Sequence, residues 1–175
     1  MRKVILRVAN SLDNYIARKD GAIDWILSSA ETASVMTEFW QTIDTVVIGR
    51  KTYEPVLQSG TPFPTFPGVK NYVLSGTLQG SPDKNVEIIR ADGVEFIRKL
   101  KTEAGKDIFI MGGGVLAKSL FEANLIDEVG VNMHPILLGS GIPLFHEMNQ
   151  QIDLAMIECR SFNNGCVSIT YRVKV

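Results

Sequence analysis

The sequence predicts an α/β domain with a mostly parallel central sheet and an antiparallel C-terminal hairpin. Three observations carry this. Along 175 residues, apolar β-branched runs alternate with stretches of helical period, the pattern of strands and helices taken in turn. Several of the early runs are almost wholly apolar, as parallel strands covered on both faces require. Near the end of the chain Asn163-Asn164-Gly165 separates two β-rich runs, a turn signal that sets its flanking strands antiparallel.

Strands are expected over residues 3–9, 45–48, 71–74, 86–89, 107–111 and 128–133, with the closing pair over 154–162 and 166–173. Between them, residues 29–41 place Val35, Met36, Phe39, Trp40 and Ile43 on one side of a helix. Ser28 and Glu31 stand at its start in S-x-x-E capping-box spacing. A second helix covers 51–58. A third, 93–104, opens with Asp92 and Glu95 in cap positions, buries Val94, Ile97 and Leu100, and stops at Gly105. The fourth covers 115–123, with Asn124 as terminator. No repeat or composition shift divides residues 1–175, and the proline-rich stretch 60–68 is a stiff loop too short to separate domains. One domain is expected.

Composition narrows the function classes. Eighteen basic against 19 acidic residues give a net charge of −1, and without a basic stripe the chain lacks a nucleic-acid footprint. No apolar run reaches the roughly 18 residues of a membrane span. Met1-Arg2-Lys3 precedes an apolar run that is broken by a charge and soon ends, so it reads as a first strand and not as a signal peptide. A cytoplasmic protein with a small-molecule substrate is expected, without nucleic-acid or membrane partners. Cys159 and Cys166 flank the hairpin turn. A two-residue loop sets Cys159 opposite either Ser168 or Thr170, so the thiols are offset and expected to stay reduced. Two histidines and two cysteines show no metal-ligand spacing, and no metal is expected.

Two segments suggest anion chemistry. In Ile108-Phe109-Ile110-Met111-Gly112-Gly113-Gly114-Val115-Leu116 a buried strand meets three glycines and then a helix. Backbone without Cβ atoms admits a diphosphate closely, and the free N–H groups of the helix start favour an anion; the alternative is a tight turn that needs glycine for packing. The spacing is not G-x-G-x-x-G, which excludes an ordinary Rossmann site. In Val46-Val47-Ile48-Gly49-Arg50-Lys51-Thr52-Tyr53-Glu54 two cations stand at a helix start, against the helix dipole. A bound 2′-phosphate would resolve that conflict; a solvated basic turn is the alternative. Asn71-Tyr72-Val73-Leu74-Ser75-Gly76-Thr77 adds a third strand ending in small hydroxyl residues.

Taken in this order, the three segments resemble the dihydrofolate-reductase superfamily over nearly the whole chain. Ser11-Leu12-Asp13-Asn14-Tyr15-Ile16-Ala17, Asp24-Trp25-Ile26 and Pro135-Ile136-Leu137-Leu138-Gly139-Ser140-Gly141-Ile142-Pro143-Leu144-Phe145 are similar to the reductase domain of the bifunctional riboflavin-biosynthesis deaminase-reductase and its stand-alone relatives. That branch usually has glycine where Asn14 stands. The resemblance implies a three-layer α/β/α fold, a glycine turn that usually holds a cis Gly-Gly bond, and NADPH as hydride donor. It places Arg50, Lys51 and Ser75 toward the 2′-phosphate and Gly112, Gly113, Gly114, Val115 and Leu116 along the diphosphate, with Gly49, Thr52 and Met111 also binding the cofactor. Ile16 and Ala17 would lie near the nicotinamide, with Asp24, Trp25, Asn132 and His134 on the substrate side. Relatives in this branch are commonly dimers, and the apolar hairpin edge would need covering; a homodimer is expected.

Reduction of a C=N bond needs a proton as well as hydride. Glu31, six residues after Trp25, is one candidate donor, with helix capping as its alternative role. Asp13 is another, unless it only stabilises the turn after the first strand. Asp24 reads equally as a loop acid, and His134 as a satisfied strand histidine. Folate reductases carry arginine where Val69 stands, and valine cannot hold a carboxylate. The basic segment of riboflavin-pathway enzymes is replaced by the uncharged loop 60–68. The expectation is an NADPH-dependent reductase of a pyrimidine- or pterin-like imine. A divergent dihydrofolate reductase and a non-catalytic NADPH-binding protein are its alternatives.

Overall fold

A computed structural model describes residues 1–81 and 83–174. The elements in order are β1 (Val4–Ser11), β2 (Tyr15–Ala17), α1 (Ala30–Thr42), β3 (Ile43–Gly49), α2 (Arg50–Ser59), β4 (Lys70–Leu74) and β5 (Glu87–Ile89). They continue with α3 (Gly93–Thr102), β6 (Asp107–Met111), α4 (Gly114–Glu122), β7 (Glu128–His134), β8 (Ile142–Pro143), β9 (Leu154–Ser161) and β10 (Val167–Val173). Eight strands form one sheet in the order β5-β4-β3-β6-β1-β7-β10-β9. The pairs from β5 to β7 are parallel, and β10 pairs antiparallel with both β7 and β9.

Side chains alternate across the central strands and so feed two cores. Val4, Leu6, Ile108 and Ile110 face α3 and α4 through Ile97, Leu100, Ala117 and Leu120. Ile5, Val46, Ile48 and Phe109 face α1 and α2 through Phe39 and Tyr53. Helices on both faces of a mostly parallel sheet give the three-layer architecture expected from the apolar strands.

The structure corrects two local expectations and adds a ladder not expected from the sequence. The capping box of α1 lies one residue later than Ser28 and Glu31. Ser29 is the N-cap, its hydroxyl accepts from the Thr32 amide, and the Thr32 hydroxyl accepts from the Ser29 amide at 3.0 Å. The hydroxyl of Thr32 closes the box, while the longer Glu31 side chain reaches away to the hairpin turn. The hairpin uses a three-residue loop: Phe162 N–H donates to Cys166 O, and Gly165 adopts φ +83°. The left-handed Gly165 inserts one residue into the loop and pairs Cys159 with Ile169, between the two registers the sequence suggested. Cys159 is exposed, Cys166 is buried, and both are free thiols. Finally, β2 and β8 make a separate two-stranded ladder. Gly141 permits it, because a Cβ there would collide with the Ala17 carbonyl oxygen.

Candidate functional site

The parallel pairing of β3 with β6 brings their C-terminal ends side by side, Ile48 opposite Met111. Two helices therefore start next to each other, α2 from Gly49 and α4 from Gly113. Neither N-cap residue offers a side-chain cap, so the first amides of both helices lack side-chain acceptors at their caps. The two starts touch. A Cβ on Gly49 would meet Leu116 Cδ2 at 3.8 Å, and one on Gly112 would collide with Thr52 Oγ1.

The glycine turn is tight on its other side too. Gly112 and Gly114 adopt φ +106° and +65°, conformations that side chains disfavour. A Cβ on Gly113 would stand 2.9 Å from Leu144 O and 3.3 Å from Ile16 Cδ1. Gly114 N–H donates to Leu144 O at 3.3 Å, and Val115, next in the first turn of α4, is 66% exposed. Each of the three glycines is thus packed against protein atoms: Thr52 Oγ1, Leu144 O and His146 Nε2. No cis peptide bond occurs among the described residues, so the cis Gly-Gly bond that the resemblance implied is absent there.

At the α2 start, Arg50 is ion-paired with Glu54 one turn on. Lys51 is exposed and makes no ion pair among the described residues. Ser75 is buried, and its hydroxyl accepts from the amides of Thr77 and Leu78, so it shapes the loop after β4. Ile16 and Ala17 lie in β2, with Ile16 against the glycine turn.

Across the sheet a cavity of about 310 Å³ opens between the N-terminal half of α1 and strands β1, β7 and β10. Its lining includes Ser29, Thr32 and Met36 from the helix region and Arg7, Asn132 and Ser168 from the sheet. No carboxylate is among the lining residues.

His134 closes the strand beside it. The ring is fully buried and packs edge-on against Trp25, centroids 5.3 Å apart. Burial lowers its pKa from the usual 6.5, so the ring is neutral at pH 7. Leu27 N–H donates to Nδ1 at 3.1 Å, which assigns the proton to Nε2. Nε2 lies 3.3 Å from the Asn132 amide. The Asn132 oxygen therefore belongs toward the ring, leaving its NH₂ group as the donor without a protein partner. Cys166 Sγ sits 3.3 Å from Nδ1, its pKa raised by burial, so it remains a thiol. Trp25 is buried and its Nε1 has no acceptor among the described residues.

The acidic candidates are engaged elsewhere. Asp13 accepts from the Ser11 hydroxyl at 2.6 Å and from the amides of Leu138 and Gly139 at 3.1 and 2.7 Å. The Ser11 bond first, then these amides, hold its carboxyl below the usual range, and it anchors the 135–141 loop as a carboxylate. Asn14 beside it adopts φ 64°, a left-handed conformation that Asn tolerates. Asp24 pairs with Arg18 at 2.7 Å on the surface and is likewise lowered. Glu31 is exposed and accepts from the Asn163 amide and side chain, both at 3.0 Å, tying α1 to the hairpin. None of the three lines the cavity. Sequence reasoning did not single out Arg7, Thr32, Ser168 or His146, whose Nε2 would stand 3.1 Å from a Cβ on Gly114.

Residues 2–168 match the family model of the RibD C-terminal domain. The chain belongs to that family. The uncharacterized protein YwjB of Bacillus subtilis (strain 168) is 38% identical over 165 residues, 94% of each chain. A protein of Shewanella sp. PV-4 ascribed to riboflavin biosynthesis has a structure similar to this one. Its TM-score is 0.86 at 28% identity, covering 99% of both chains. The dihydrofolate reductase of Enterococcus faecalis, solved with NADP(H), superposes with TM-score 0.73 at 19% identity, covering 99% of this chain and 97% of that one. The last likeness shows the dihydrofolate-reductase-like fold. Membership of the RibD C-terminal family agrees with the resemblance to the riboflavin branch. Among the described residues no helix is long and apolar enough to cross a membrane, and no group of three or more His, Cys, Asp or Glu gathers as metal ligands.

Proposed function

We propose that the chain is an NADPH-dependent reductase of the riboflavin-pathway type, transferring hydride to a C=N bond of a pyrimidine- or pterin-like ring. The observation that carries this reading is the meeting of two uncapped helix starts at β3 and β6, one strand from the α1 cavity. The donor set suits a dinucleotide: two uncapped helix starts stand side by side, and Lys51, without an ion pair among the described residues, is available to a 2′-phosphate. Val115 and Leu116 offer amides to the diphosphate, Thr52 braces the turn, and Ile16 offers an apolar face for the nicotinamide. Bound NADPH supplies the hydride. The cavity under α1 excludes water from the reacting ring through Met36, Phe109 and Phe162 and positions it through Asn132 and Ser168.

Folate reduction is the weaker alternative, since Val69 packs in the α1–α2 core and no carboxylate lines the cavity. That same absence favours one second reading, in which the chain binds NADPH without turnover. Oxidation of NADPH by purified protein, with the phosphoribosylamino-pyrimidinedione and with dihydrofolate offered separately, tests all three. Turnover of the pyrimidinedione supports the first; tight NADPH binding with neither substrate consumed supports the second. We further propose a cytoplasmic homodimer in which the exposed edge of β9, with Met156 and Ile157 65% and 46% exposed, is covered. A monomeric mass in light scattering removes the dimer.

A further inference from the structure

Of the side chains that line the α1 cavity, Arg7 alone is charged. Its situation differs from that of Arg2, five residues earlier on the same edge of the chain. Arg2 is buried and donates to Asp44, Thr45 and the carbonyls of Leu100 and Lys106. Arg7 is half-buried, yet makes no hydrogen bond and no ion pair among the described residues. Its guanidinium lies over the Phe39 ring, 4.8 Å from the centroid. Without a protein acceptor, this half-buried cation is free to exchange its water contacts for an acceptor that enters the cavity.

The sheet makes room for this side chain. Arg7 pairs with Met111 on β6 and Gly130 on β7, and Gly130 pairs onward with Thr170, which faces Glu158. A Cβ on Gly130 would press on Arg7 Cγ at 3.1 Å. Glycine inside a strand costs stability, and here it frees the space that the arginine stem occupies. Glu158 is the nearest counter-charge in that row, but it is ion-paired with Arg160 at 3.1 Å. Two residues along the same face, Ala9 pairs with Asn132 and Asn132 with Ser168. The lining of the cavity thus includes a guanidinium fork and the Ser168 hydroxyl, with apolar walls from Val35, Met36, Phe109 and Phe162.

We propose that Arg7 is the specificity-determining cation of this cavity and that its ligand is a planar heterocycle bearing a carboxylate. The fork of two parallel donors matches two coplanar oxygens, and the apolar walls match the faces of a ring. Donors without a neighbouring carboxylate select an acceptor-rich ligand and reject a cationic or amino-rich one. The inference rests on reading the cavity as the substrate side of the reductase.

The test uses the full chain and binding as its readout, with uracil, uracil-6-carboxylate and inorganic phosphate titrated by calorimetry. The wild type is expected to bind the carboxylated ring at least about tenfold more tightly than uracil. Arg7→Met should abolish that preference, Arg7→Lys should retain part of it, and Gly130→Ala, which leaves Arg7 in place but crowds its stem, should weaken it. Equal affinity for the two rings in the wild type overturns the proposal. So does a preference that survives Arg7→Met, or a response to phosphate without discrimination between the rings. If Arg7→Met does not fold, Gly130→Ala and Arg7→Lys decide the point alone. NADPH titrated alongside separates the two readings. A wild type that prefers the carboxylate but ignores NADPH keeps this inference and removes the reductase. NADPH binding without anion preference does the reverse.

Discussion

The helix starts at β3 and β6 and the cavity under α1 are one strand apart, Met111 pairing with Arg7, yet they are made by different means. The first is backbone: glycines, uncapped amides and a threonine wedged against a turn. The second is side chains drawn from β1, α1, β7 and the hairpin, residues far apart in the chain and joined only by register. A backbone site withstands loss of any one side chain but not the addition of a Cβ. A side-chain site has the opposite weakness, and substitutions distinguish the two.

The largest effect is expected at His134, at the end of the strand beside the cavity. His134→Ala removes a fully buried ring, the acceptor for Leu27 N–H and the partner of Asn132, and should cost roughly 3 kcal/mol in chemical denaturation. The same residue sets a pH dependence. Its folded pKa is lowered below 6.5, so between the folded value and 6.5 the unfolded chain binds more protons. Stability is therefore full above pH 6.5 and drains as pH falls through the folded pKa. The lowered carboxyls of Asp13 and Asp24 act only below their ordinary 3.8. A melting curve against pH should show the upper step in the wild type and lose it in His134→Gln. A step that persists places the titration elsewhere.

On the backbone side, Gly113→Ala forces a Cβ against a carbonyl oxygen that cannot swing away. About 1–3 kcal/mol of stability and at least tenfold of NADPH affinity should go together. A fall in melting temperature with the dissociation constant unchanged would make the turn a packing device only. Lys51→Gln should leave stability alone and reduce the preference for NADPH over NADH about tenfold, the scale of one charge-assisted contact. Arg50→Gln should do less, because Arg50 is already paired with Glu54. Equal loss for both cofactors would move the 2′-phosphate away from Lys51.

What could be read from the sequence follows the same division. Strand, glycines and helix start are contiguous, so both backbone walls were visible as motifs, and the apolar strands and Asn163-Asn164-Gly165 implied the sheet. The cavity was not visible, because it depends on strand order and on which residue faces which across β1, β7 and β10. Arg7 did leave a mark: it is the only charge within β1, and a lone charge in a strand covered on both faces invites the question of its partner. The offset of the α1 cap from Ser28 to Ser29 had no local signal. It depends on where Glu31 goes, and Glu31 goes to a turn 132 residues away.

That contact yields the smallest effect and the finest distinction. Glu31 holds Asn163 through two acceptors, both at 3.0 Å, and each is exposed to water that can replace it. Glu31→Gln keeps one acceptor and the reach of the side chain, so melting should fall by no more than about 2–4 °C, the shift that ~1 kcal/mol produces in a chain of this size. With the carboxylate turned toward the hairpin and absent from the cavity lining, turnover of any accepted substrate should be unchanged. A loss of turnover with melting intact would mean that Glu31 leaves Asn163 when substrate binds and delivers the proton. The side-chain half of the site would then be assembled by its ligand and not before it.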